Sequence, residues 1–217
     1  MMYLVKTPAF IPVLFPKYWW QLQNTREIYL TFDDGPTPGV TDWVLSVLRQ
    51  FQAKATFFLV GNNVKNYPAV AQKIIENGHK IGNHTYTHVH GWKVSPAKYL
   101  EEVSLTDDII FQKTGAVPLF FRPPYGKFSR FARSGILQRH QIVMWDVLPG
   151  DFDQNLSFQT CLANALAHIA PGAIYVLHDS LKCQQRMQYV LPILLETIYS
   201  NGFICSALPE PVINNHF

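Results

Sequence analysis

The sequence predicts an α/β protein built as a (β/α) barrel with largely parallel strands in a single domain. Two observations carry that prediction. Apolar, β-favouring runs alternate with stretches of helical periodicity along the chain, and the connections between them are short and punctuated by Gly and Pro. Nearly all of the unusual polar residues fall just behind the apolar runs, where α/β folds collect their chemistry. With six or seven strand–helix units in 217 residues, a closed barrel is favoured over an open doubly wound sheet.

The elements follow in order. Ile28 to Phe32 is a buried strand that ends in Asp33-Asp34 and is broken by Gly35-Pro36. Val40, Val44, Val47, Leu48 and Phe51 recur at three- and four-residue spacing, the mark of an amphipathic helix. Ala55–Val60 is a second strand. Pro68–Asn77 is a helix with proline in its first turn and Gly78 behind it. Lys80–Asn83 reads as a short strand. Ser95-Pro96 caps and opens a long helix to Thr114, closed by Gly115. Leu119–Phe121 is a strand, and Arg122-Pro123-Pro124-Tyr125-Gly126 turns the chain. A helix over Ser129–Arg139 leads to a strand over Gln141–Trp145. Ser157 caps a helix to His168, Ala173–Leu177 is a strand, Met187–Tyr199 is the last helix and Phe203–Leu208 the final strand.

Composition excludes several classes. A formal charge of +3 with no Lys/Arg cluster does not argue for nucleic acid. Cys161, Cys183 and Cys205 are odd in number and widely spaced, so no disulfide framework is expected. No phosphate-cradling loop or dinucleotide fingerprint occurs, so no nucleotide cofactor is implied. Residues 1–26 are apolar but interrupted by Pro8, Pro12 and Pro16. They read as a segment packed on the domain, not a membrane span or signal peptide. The expected organisation is thus an N-terminal segment over 1–26, a domain over 27–208 and a tail over 209–217. A cytoplasmic location is expected, and oligomeric state is left open.

The chemistry starts at Asp33-Asp34. Neighbouring side chains of an extended strand point to opposite faces, so two adjacent acids need a bend or two distinct jobs. Two carboxylates this close repel unless a cation or a base role separates them. His84 and His88 offer imidazoles four residues apart, which on a helical turn share one face. With one carboxylate they form a three-ligand site with an open position, typical of catalytic zinc and acceptable to iron, cobalt or nickel. His90 is left out of that set, and His79, His140, His168 and His216 read as structural.

Thr31-Phe32-Asp33-Asp34-Gly35-Pro36, His84-Thr85-x-x-His88, Arg122-Pro123-Pro124-Tyr125, Trp145-Asp146 through Asp151-Phe152, and Val176-Leu177-His178-Asp179 resemble the five ordered motifs of the polysaccharide deacetylases. That family is carbohydrate esterase family 4, also called the NodB-homology domain. The resemblance implies a distorted (β/α) barrel and metal-dependent removal of acetyl groups from an N-acetylated or O-acetylated carbohydrate, such as a glycan containing N-acetylglucosamine. It implies that Asp34, His84 and His88 hold the metal, and that a metal-bound water attacks with Asp33 as base and His178 as acid. It further implies that the Tyr125 backbone N–H meets the oxyanion. Arg122 would pair with Asp33, with Asp151 orienting the guanidinium. Leu177 and Trp145 would line the acetyl pocket, and Tyr125 and Trp92 are candidates to stack on sugar. Asp179 is a candidate partner for the second nitrogen of His178. Hydrolysis of a non-sugar amide uses the same motifs and stays open. A non-haem iron oxygenase or a silent glycan-binding protein leaves Asp33 and His178 without a task.

Overall fold

Strand β1 (Glu27–Asp33) is the central stave of the sheet. It pairs in parallel with β2 (Ala55–Leu59) on one side and β6 (Ile174–His178) on the other. All three are buried along almost their whole length, which is why they read as continuous apolar runs. The computed structural model describes residues 3–23 and 26–211; the end of the expected 209–217 tail, from 212 on, lies outside them. Beyond β2 come β3 (Lys80–Asn83), β4 (Phe120–Phe121) and β5 (Gln141–Ile142), giving the order β5-β4-β3-β2-β1-β6. A last strand, β7 (Ile204–Cys205), pairs with the first residues of β1.

Every ladder between these strands is parallel, so each connection must cross over, and helices make the crossings. Ahead of the sheet lies α1 (Phe10–Leu14). The crossings are α2 (Val40–Gln50), the pair α3 (Gly61–Asn66) and α4 (Pro68–Glu76), α5 (Pro96–Thr114), α6 (Arg133–Leu137), α7 (Phe158–Leu166) and α8 (Gln184–Ser200). Several ends are set by the expected residues. Ser95 Oγ accepts from the Lys98 N–H, Gly115 adopts φ 70, and Ser157 Oγ accepts from the Thr160 N–H.

Past β5 the chain curls round to β6. Val147 bridges Tyr175, and the Asp146 and Val147 N–H groups donate to the Ile174 carbonyl. Closure by a bridge in place of a full ladder makes the barrel distorted. The N-terminal segment runs beside both edges of this seam, with Trp19 bridging Val143 and Gln21 bridging Ala173. Two short helices, α1 and α3, were not expected. The strands expected over Gln141–Trp145 and Phe203–Leu208 contract to two residues each, and the helix expected over Ser129–Arg139 contracts to α6. Among the described residues no helix is long and apolar enough to cross a membrane.

Alternation along β1 sends Ile28, Leu30 and Phe32 into the helix-facing core, where they meet Val44, Leu48, Leu191 and Leu194. Tyr29 points the other way, into a cluster with Phe58, Phe120, Val143 and Ile174. Thr31 and Asp33 share that inner face by the same period of two. The register places Asp33 level with His178 in β6. The ends of β1, β3, β4 and β6 therefore open on one rim.

Candidate active site

At the end of β1 the backbone turns. Asp34 has φ 77, a left-handed bend that frees its side chain from the strict alternation of a strand. The two carboxylates both face His84 Nε2, at 3.9 and 3.8 Å, and otherwise meet different partners. Asp33 Oδ1 accepts from Arg122 Nη1 at 2.7 Å. Arg122 is fully buried, and its other donors reach Thr31 Oγ1 and the carbonyls of Val143 and Met144. Its guanidinium carbon also lies 4.1 Å from the centre of the Phe58 ring. A planar cation fixed on so many sides holds the direction of the carboxylate it grips.

Asp34 Oδ1 instead lies 3.2 Å from His88 Nε2 and 3.8 Å from His84 Nε2. The turn behind it contains a cis Gly35-Pro36 peptide and is held by Asn63 Nδ2, which donates to the Asp34 carbonyl. Burial works against ionisation of Asp34, but His88, His178 and His84 outweigh it and hold the carboxyl well below the usual carboxylate range.

The two imidazoles share no helix, contrary to expectation. Residues 84–90 form an irregular loop behind β3, with Thr85 at φ 64 and His88 at φ 56. Local hydrogen bonds replace helical ones. Asn83 Oδ1 accepts from the Thr85 N–H at 2.9 Å, and Glu102 Oε2 accepts from both the N–H and the hydroxyl of Thr87. Glu102 and Asn83 were missed in the sequence because nothing local marks them. Thr31 was legible in principle, as the polar residue two before Asp33 on the same face.

The ligand atoms of Asp34, His84 and His88 all lie within 4.8 Å of one another. Burial pushes the His84 ring down to about 4, against the pull of Asp33 and Asp34, so it is neutral at physiological pH. Its Nδ1 lies 2.7 Å from the Arg122 carbonyl. A neutral ring donating there leaves Nε2 with a lone pair facing the carboxylates. Asp34 Oδ1 is buried without a hydrogen-bond donor. Two nitrogens and one anionic oxygen, itself the buried acceptor without a donor, fit a divalent cation.

His178 closes the rim from β6. Its backbone N–H donates to Asp151 Oδ2 at 2.7 Å, and its Nδ1 lies 2.9 Å from Asp151 Oδ1. This corrects the expected role of Asp151, whose carboxylate grips His178 and not the Arg122 guanidinium. Asp179 is likewise not the partner of His178: it accepts from the Gly35 N–H and the Thr41 hydroxyl, bracing the turn behind Asp34. Burial, reinforced by Asp34 and Asp33 against the Thr41 hydrogen bond, raises its carboxyl to about 7. Asp146 pairs with Lys6.

Tyr125 sits on the rim at φ 60, half exposed, with its ring stacked on His90 at 5.1 Å and edge-on to His88 at 4.8 Å. His90 thus supports an aromatic platform. The Trp145 ring packs against Gly126, beside Tyr125. Leu177 is not on the cleft surface. It is fully buried in the helix-facing core, on the strand face opposite His178.

The model of the polysaccharide deacetylases matches residues 22–141. The chain belongs to the polysaccharide deacetylase family. Among relatives of this family, a peptidoglycan-N-acetylglucosamine deacetylase of Bacillus cereus is 37% identical over 158 residues, which is 72% of this chain and 57% of that protein. A chitooligosaccharide deacetylase of Bradyrhizobium is 37% identical over 164 residues, covering 73% of each. The crystal structure of the Bc1960 peptidoglycan N-acetylglucosamine deacetylase superposes with a TM-score of 0.85 at 32% identity, over 94% of this chain and 95% of that one. The chain spans little more than half the length of the Bacillus cereus relative.

Proposed function

We propose that the protein is a divalent-metal-dependent deacetylase that hydrolyses the acetamido group of an N-acetylglucosamine-containing glycan. The observation that carries this reading is the division of the acidic pair. Asp34 faces two imidazoles, while Asp33, whose Oδ2 lies 3.9 Å from His84 Nε2, has its other oxygen gripped by Arg122 and lies level with His178 on the neighbouring strand. The names of the polysaccharide deacetylase relatives support the substrate class.

Asp34, His84 and His88 would hold the cation; zinc suits this donor set best, and cobalt, nickel or iron also match it. When bound, the metal supplies Lewis acidity toward a carbonyl oxygen and lowers the pKa of water. Asp33 accepts the proton of the attacking water at Oδ2, the oxygen not committed to Arg122. The Tyr125 N–H, set by Pro123-Pro124 and its own left-handed turn, is the donor for the developing oxyanion. His178 presents Nε2, because Nδ1 faces Asp151, and protonates the departing amine as the C–N bond breaks. Acetate and a free amino sugar result. The exposed faces of Tyr125 and Trp145 would bound the sugar and acetyl subsites.

The test is acetate release from N-acetylglucosamine oligomers, peptidoglycan fragments, acetylxylan and small N-acetyl amines, with defined metals. Asp33→Asn should keep its metal and lose about a hundredfold or more in rate. His84→Ala should lose metal and activity together. Full activity in the first variant, or an intact metal stoichiometry in the second, would sink the assignment.

A further inference from the structure

Two stretches of this chain carry cations and no carboxylate side chain. Residues 1–26 hold Lys6, Lys17 and Arg26, and residues 109–145 hold Lys113, Arg122, Lys127, Arg130, Arg133 and Arg139, while all 15 Asp and Glu lie elsewhere. The fold brings the two stretches together. The Tyr18 ring lies 6.1 Å from the Phe128 ring, and its hydroxyl lies beside the Arg133 guanidinium. Phe15 stacks on Tyr18 at 5.6 Å, and Ile11 packs on the same cluster as Phe128.

Helix α1 lies on the outside of this junction. Its five residues, Phe-Ile-Pro-Val-Leu, are all apolar or proline and none is buried. Phe10, Val13 and Leu14 are 61%, 76% and 64% exposed. Phe131, in the facing basic stretch, is 68% exposed with Arg130 across its ring. Scattered exposed leucines need no explanation, but an apolar helix with no buried residue beside a basic surface does. Lys17, Lys127, Arg130 and Arg133 are exposed, and none is in an ion pair among the described residues.

A second copy is a poor occupant. A two-fold interface would set these cations against their own counterparts. Exposed apolar side chains ringed by Lys, Arg and aromatic residues match instead the boundary between anionic head groups and acyl chains. We propose that this face docks on an anionic lipid surface, with Phe10, Val13 and Leu14 at the acyl boundary and Lys17, Lys127, Arg130 and Arg133 against the lipid anions. The docked face borders the candidate active site: Lys127, two residues beyond Tyr125, holds its Nζ 4.9 Å from the centre of the exposed Trp92 ring. Substrate would then be met close to the membrane plane. The inference needs no turnover and stands independently of the deacetylase reading.

The test is co-sedimentation of the purified full chain with vesicles of phosphatidylcholine alone or mixed with phosphatidylglycerol, at low and high salt. Wild type should bind the mixed vesicles, bind neutral ones weakly, and lose binding as salt rises. Val13→Glu/Leu14→Glu and Lys17→Glu/Arg130→Glu should each weaken binding about tenfold, with melting temperatures unchanged. The inference is overturned by an absence of binding to the mixed vesicles, or by equal binding to neutral ones. Binding that survives Val13→Glu/Leu14→Glu undiminished would also overturn it, as would a wild-type dimer that this variant dissociates and that ignores vesicles.

Discussion

Both carboxylate oxygens of Asp151 go to His178, one to its backbone N–H and one to its ring. Burial of the ring disfavours its charge, but Asp151, aided by Asp34 and Asp33, overrides that and raises the imidazole to about 10. The sign follows from the ordinary value near ~6.5. A raised pKa means the protonated ring stabilises the fold fully below the unfolded value, and that contribution is lost as pH rises through the folded one. With His178 as the proposed acid, the proton for the leaving amine disappears over the same alkaline range. Asp151→Asn keeps the shape and removes the charge, so the alkaline limb of kcat/KM should move acidward by about one pH unit or more. A pH–rate profile checks this, and an unmoved limb would show that another group titrates there. Asp33, Asp34, His84, His88 and His178 were legible because each is a chemically distinctive residue in or behind an apolar run. The partner of Asp151 was not legible, since several buried cations compete for a carboxylate and only the fold decides among them.

The two imidazoles meet across an irregular loop and not along a helical turn, so the expected juxtaposition with Asp34 is present on a scaffold other than the expected one. The segment 84–90 holds Thr85 and Thr87, poor helix formers, and lacks the apolar repeat that would bury one helical face. It is shaped from outside, chiefly by Glu102 on α5, which satisfies both donors of Thr87. Glu102→Ala should weaken metal affinity about tenfold to a hundredfold, as removal of a group that orients ligands does. Metal titration of the purified variant measures it, and saturating metal should restore most of the rate. The strands β5 and β7 were read too long for a related reason. Beyond Ile142 the chain only bridges Trp19 through Val143, and beyond Cys205 single hydrogen bonds, from the Ser206 N–H to the Ile28 carbonyl and from the Leu208 N–H to Thr56 Oγ1, stand in place of a ladder.

At the scale of the whole molecule, alternation of strand and helix made the α/β class and the common rim of strand ends readable. The seam was not readable, because it depends on an N-terminal segment with no strand signal. The Leu22 N–H donates to the Gly172 carbonyl, and the Met144 N–H donates to the Trp19 carbonyl, tying the segment to both sides of the closure. Gly172 has φ 73, and a Cβ there would stand 1.6 Å from the Leu22 carbonyl oxygen. Gly172→Ala combines a left-handed backbone with a backbone collision, so it should cost about 3 kcal/mol. Thermal unfolding followed by circular dichroism should show a midpoint lower by roughly 6–12 °C. An unchanged midpoint would mean that the segment is not part of the barrel wall.

Among the described residues, five that are not glycine have positive φ, and four of them, Asp34, Thr85, His88 and Tyr125, sit in the turns that build the candidate active site. Each costs about 1 kcal/mol that glycine at the same place would not. Heat resistance and chemistry therefore pull these positions in opposite directions. A library of this protein selected only for survival at high temperature would drift toward glycine at 34, 85, 88 and 125, and would return a sturdier barrel with an empty rim.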